Sequence, residues 1–232
     1  MIPIVDDRIR SVRLTSEDRS EVLRYLGYRG QTIGPELDAL FSEAINKVNR
    51  AVDPRLIYCR YQRKADDSLP DDLYFLTGRD ITEHLKGCQE ILLIAATLGS
   101  GLDRAIHVEE VRDTTSALIM DSAGSTLIEA VLDSYEAMLR KDLGKQGLYL
   151  TSRFSPGYGD LPLASQNPFG QALEVHRIGL TMTAEHIMVP RKSVTAVLGI
   201  ANRPIHEKKK SCASCNLNAS CRFRKAGVVC GE

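Results

Sequence analysis

The feature that most constrains the fold is one long helical pattern from about Thr114 to Leu143. Leu118, Ile119, Leu127, Ile128, Val131, Leu132, Tyr135, Met138 and Leu139 give it a wide apolar face, which needs a second layer to cover it. The run Ser122-Ala123-Gly124-Ser125-Thr126 interrupts that face with small residues. A mid-helix glycine costs about 1 kcal/mol against alanine, so close approach by a neighbouring element is the expected reason for Gly124. Glu129 shares a face with Ser122 and Ser125 by helical spacing. It reads either as a solvated glutamate or as a ligand contact.

The next constraint is Arg153-Phe154-Ser155-Pro156-Gly157-Tyr158-Gly159-Asp160-Leu161-Pro162, closed by Gln166. Two glycines and two prolines in ten residues exclude both helix and strand. Arginine offers a planar fork of donors that suits a carboxylate, and tyrosine a rigid ring with a polar tip. From composition alone this is a connector or a ligand loop.

Elsewhere the pattern is mixed. Thr15-Ser16-Glu17-Asp18 starts a helix carried by Val22, Leu23 and Leu26, and Leu37 to Val48 follows helical spacing. Leu56 to Tyr61 predicts a strand with Leu73 to Leu76 as its partner, and Glu90 to Gly99 a buried central strand. A short helix runs through Ile81, His84 and Leu85. Gly147 to Ser152 enters the loop as a strand, and Asn167 opens a helix through Leu173, Val175 and Ile178. Leu180–Met188 and Lys192–Ile200 predict two antiparallel strands joined at Pro190. Cys59 and Cys88 sit in apolar contexts and read as core. His176 and His186 read as surface or satisfied residues, since neither has a partner at metal-ligand spacing. The fold class is α+β: a mixed or largely antiparallel sheet with packed helices, one of them long. Residues 1–203 form that domain.

Residues 204–232 form a polar, basic tail in which Cys212, Cys215, Cys221 and Cys230 supply four thiolates. So short a segment has no core of its own, and a metal or cluster would organise it. The spacing does not form the paired C-x2-C units of common zinc ribbons, and a [4Fe–4S] cluster tolerates less regular spacing, so iron–sulfur is favoured over zinc. Free thiols are the remaining reading.

Arg153, Pro156, Gly157 and Tyr158, followed by Met188-Val189-Pro190-Arg191-Lys192-Ser193-Val194, resemble the activation (reactivation) domain of cobalamin-dependent methionine synthase, in a standalone form. The resemblance runs from about Leu73 to Asn202, and Gly159-Asp160-Leu161-Pro162 departs from the family's run after the tyrosine. It implies S-adenosylmethionine bound by Arg153, Ser155, Pro156, Gly157, Tyr158 and Glu129, with Tyr158 facing the reaction. It implies reductive reactivation of a corrinoid (cobalamin) carried by a partner methyltransferase, with a low-potential donor such as flavodoxin or ferredoxin. A non-catalytic docking module with a structural zinc is the alternative.

Lysine plus arginine equal aspartate plus glutamate at 30 each, so no general nucleic-acid or membrane surface is expected. No apolar run is long enough to span a bilayer and no signal-peptide layout is present, which leads to a cytoplasmic expectation.

Overall fold

The computed structural model describes residues 1–205 apart from 29, 30, 32, 65 and 67. In chain order the elements are β1 (Ile4–Asp6), α1 (Arg19–Tyr25), α2 (Pro35–Ala51), β2 (Arg55–Gln62), α3 (Arg79–His84), β3 (Glu90–Thr97), α4 (Ser100–Arg112), α5 (Thr114–Gly144), β4 (Tyr149–Leu150), α6 (Gln166–Ala172), β5 (Thr181–Met182), β6 (Met188–Val189) and β7 (Ser193–Ala201). The main sheet has the order β1-β2-β3-β7-β4, and every pairing in it is antiparallel. β5 and β6 form a separate two-stranded hairpin.

β3 and β7 are covered on both faces, which is why their sequences read as continuous apolar runs. Alternation along each strand splits the interior in two. Leu92, Ile94, Ala96, Ala196, Leu198 and Ile200 face α1, α2, α4 and α5. Ile91, Leu93, Ala95 and Val197 face a second core with Leu73, Phe75, Leu161 and Phe169. Cys59 and Cys88 are buried, as expected.

The long helix is present as α5, started by the Asp113 carboxylate accepting from the Thr115 N–H at 2.9 Å. Gly124 has the reason inferred for it: a Cβ there would stand 2.8 Å from Leu102 Cδ2 of α4 and 3.2 Å from Lys192 Cε. Leu118, read as part of the apolar face, is exposed instead.

Four other expectations are corrected. Residues 73–76 do not pair with β2, whose two edges are already taken by β1 and β3; Asp71–Leu73 forms a 3-10 turn that drops Leu73, Phe75 and Leu76 into the second core. The strand expected over 180–188 is only the short β5/β6 hairpin, because His186 (φ 66°) turns the chain back, and β7 pairs with β3 and β4. The strand entering the loop shrinks to β4. The helix expected through Ile178 stops at Ala172, where left-handed Glu174 (φ 51°) separates it from a 3-10 turn ending at Gly179. α4 went unread, since only Leu102, Ile106 and Glu109 of its residues are buried.

Candidate functional site

The predicted loop leaves the sheet on the β4 side of β7. β4 covers β7 only at Ala201 and Ile200, after which Thr151 N–H donates to the Gly199 carbonyl at 2.9 Å. Phe154 and Val197 then exchange hydrogen bonds at 2.9 and 2.8 Å. Strand alternation turns the Thr195 N–H and C=O toward this same edge, and no strand among the described residues continues along it.

Beyond Phe154 the chain folds into a turn fixed by its own backbone. Tyr158 N–H donates to the Ser155 carbonyl (3.0 Å), Leu161 N–H to the Tyr158 carbonyl (3.0 Å) and Gly157 N–H to the Leu161 carbonyl (2.9 Å). Gly157 (φ 88°) and Gly159 (φ 54°) supply conformations that other residues avoid. Pro156 and Leu161 are buried, while Tyr158 is 65% exposed. Ser165 Oγ donates to the Phe75 carbonyl (2.9 Å), and the buried Gln166 Oε1 accepts from Thr195 Oγ1 (3.0 Å), locking the loop's far end.

The Asp160 carboxylate anchors the loop to the start of α3, accepting from the Arg79 N–H (2.6 Å) and the Asp80 N–H (3.0 Å). A side chain at Gly78 (φ 126°) would overlap that carboxylate. Asp160→Ala therefore loses a helix cap: the expected cost is about 1 kcal/mol in urea denaturation, with faster amide exchange at Gly157 and Leu161.

Arg153 points at α5. Its Nη2 reaches Glu129 Oε2 at 3.0 Å and Asp133 Oδ1 at 2.8 Å, and its Nη1 reaches Glu136 Oε1. These acids recur at helical spacing, so one face of α5 offers three carboxylates to one guanidinium. Glu129 and Asp133 are 43% and 69% exposed, but Glu136 only 13%. Burial holds the Glu136 carboxyl above its ordinary value, although Arg153 and Arg140 pull the other way. Burial also works against the Arg153 charge, but the surrounding carboxylates outweigh it and raise its pKa. Arg140, 3.6 Å from Glu136, donates to the Thr151 carbonyl at 3.0 Å and ties α5 to the start of the loop.

The structure thus brings Glu129, Arg153, Ser155, Pro156, Gly157 and Tyr158 to one edge. It differs from expectation in two respects: the guanidinium is engaged by α5, and the Gly157 N–H is used within the turn. Asp133, Glu136 and Asp160 were not anticipated, though the spacing of 129, 133 and 136 carried the signal for the first two. Lys192, on the far side of the edge, donates to Ser125 Oγ (2.9 Å) and pairs with Asp121 (2.8 Å). His186 Nδ1 lies 2.8 Å from Asn167 Oδ1, and His176 is exposed. Cys212, Cys215, Cys221 and Cys230 lie outside the described residues, among which no group of three His, Cys, Asp or Glu is arranged to hold a metal. No helix among the described residues is long and apolar enough to cross a membrane.

The long helix across one face, the five-stranded antiparallel sheet and the loop at its edge can be compared with solved structures. The fold is that of the MetH reactivation domain. The chain is similar to the MetH reactivation domain bound to AdoHcy with a TM-score of 0.60 and 14% sequence identity, over 97% of this chain and 85% of that chain. At that identity the likeness establishes architecture. No family model matches the chain, and neither does any curated protein.

Proposed function

We propose that the protein binds S-adenosylmethionine along the β7 edge and presents its methyl group to the corrinoid of a partner methyltransferase, methionine synthase foremost, in reductive reactivation. The observation that carries this is the turn itself. An arginine at its entrance and an exposed tyrosine at its centre stand beside the β7 edge, in a fold shared with a domain that binds AdoHcy. In the reaction, a low-potential donor such as flavodoxin or ferredoxin gives one electron to the partner's cobalt(II), and the cobalt(I) formed takes the methyl group and leaves S-adenosylhomocysteine. This chain's residues hold and aim the donor.

The Arg153 surroundings suit an exchange of partners. The methionine carboxylate takes over the Nη2 side from exposed Glu129 and Asp133, while the largely buried Glu136 keeps Nη1. The two displaced carboxylates then face the ligand's ammonium and sulfonium charges. With the Gly157 N–H committed, the adenosine is met by the Ser155 and Gly157 carbonyls, each with a lone pair to share. Tyr158 walls the site toward the corrin.

Arg153→Ala is expected to weaken S-adenosylmethionine binding by about 2 kcal/mol in calorimetry, the size of a lost charge-assisted pair. Unchanged affinity would leave the arginine as a tie between loop and helix and remove it from the site.

The four tail thiolates have the donor chemistry for a [4Fe–4S] cluster, which would relay the electron. Anaerobically purified protein is expected to show a brown chromophore bleached by dithionite. Stoichiometric zinc without colour would instead favour a docking module that binds the nucleotide and performs no reduction.

A further inference from the structure

A second surface lies away from the loop. α2 and α4 touch where Gly101 meets the Ala51 carbonyl, so closely that a Cβ on Gly101 would overlap that oxygen. They are tied again by Lys47 Nζ to Glu109 Oε1 at 3.0 Å. At this junction is an open cleft of 390 Å³, with an apolar lining of Ala51, Ala105, Val108 and buried Met120. Val108 and Val111, one helical turn apart on α4, are 51% and 84% exposed.

The charge on this cleft is one-sided. Lys47, Arg50 and Arg104 line it with one acid, buried Glu109; Lys47 is already matched by Glu109 and by Glu43 at 2.9 Å, which leaves the two arginines. Among the described residues Arg50 and Arg104 have no carboxylate partner, and Arg104 reaches only Ser100 Oγ, at 2.8 Å. The net charge of the chain is zero, so two guanidiniums without a carboxylate partner beside one apolar lining are a local excess of positive charge.

We propose that this cleft docks an acidic, amphipathic helix of another protein. A helix laid between two helices buries its apolar side chains in the groove, and its carboxylates meet the guanidiniums on the rim. Arginine is the residue suited to that rim, through its planar fork and weak hydration. The remainder of this chain is not the occupant: residues 206–232 carry Lys208, Lys209, Lys210, Arg222, Arg224 and Lys225 against Glu207 and Glu232, the same sign as the cleft. The proposal stands independently of nucleotide binding, since the loop packs on the other half of α5.

The test uses the full chain and fluorescein-labelled synthetic helices with a leucine face and either a glutamate or a lysine opposite face, plus a scrambled glutamate peptide. In fluorescence anisotropy the glutamate-faced helix alone is expected to bind, more weakly as salt rises. Arg50→Glu combined with Arg104→Glu is expected to reduce the affinity at least about tenfold. Circular dichroism checks that the variant is folded, and in the wild type the peptide is expected to slow amide exchange over residues 47–51 and 104–109. Equal binding of the lysine or scrambled peptide, no binding of any, indifference to charge reversal, or protection elsewhere overturns the proposal. So does self-association through this face, which would make a second copy the occupant.

Discussion

Arg153→Ala is expected to destabilise the protein by about 3 kcal/mol at pH 7 and by much less near pH 4. Removing one member of a largely buried ion pair strands the other, which is costlier than the pair was favourable. The stranded group here is Glu136, 13% exposed, with Arg140 at 3.6 Å as its remaining neighbour. Arg140 places the cost at the lower end of the range for broken buried pairs. Glu129 and Asp133 return to water and contribute little. The pH dependence follows from the raised Glu136 pKa. A carboxyl held above its ordinary 4.5 contributes fully below 4.5 and loses that contribution as pH rises through its folded value. Without the guanidinium the folded value climbs further, so the penalty widens toward neutrality. Urea denaturation at both pH values measures it, and Glu136→Gln in the Arg153→Ala background is expected to restore most of the loss. A cost independent of pH, or one that Glu136→Gln leaves in place, would mean that the arginine acts through packing alone.

The same cluster marks how far sequence patterns reach. Helix α5 was legible because its apolar period is long and its ends are sharp, and β3 because it is buried on both faces. What could not be read was partner choice. Leu73 to Leu76 has the composition of a strand, but β2 had no edge left to offer it, and edge occupancy is a property of the assembled sheet. α4 shows few buried positions because its outer face belongs to the cleft and to solvent. At the site, proline and glycine announced the turn and arginine its polarity. That the arginine folds back on α5 follows from two acids one and two turns beyond Glu129, a relation that exists only once the loop is laid across the helix. Loop residues such as Asp160 are legible only through what they cap.

Gly199→Ala is expected to cost about 3 kcal/mol, although alanine is otherwise a mild replacement in a strand. The residue lies in β7 between β3 and the segment that follows β4, and its N–H donates to Thr151 Oγ1 at 2.8 Å. A Cβ there would overlap Cys88 Sγ and stand 3.1 Å from Cys88 Cβ and 3.2 Å from Thr151 Cγ2. Neither neighbour can withdraw: Cys88 is buried and its N–H is bonded to the Leu85 carbonyl at 3.1 Å, while Thr151 is held by its bonds to Gly199. Cys88→Ala alone removes a small buried sulfur and should cost about 1 kcal/mol. Combined, the two substitutions should cost clearly less than their sum, because the new methyl group enters the space the sulfur leaves. That non-additivity, read from denaturation midpoints of the four proteins, tests the packing of β7 against the turn after α3. Additive costs would place Cys88 away from Gly199, and with it the edge on which Thr151 and Arg153 are hung.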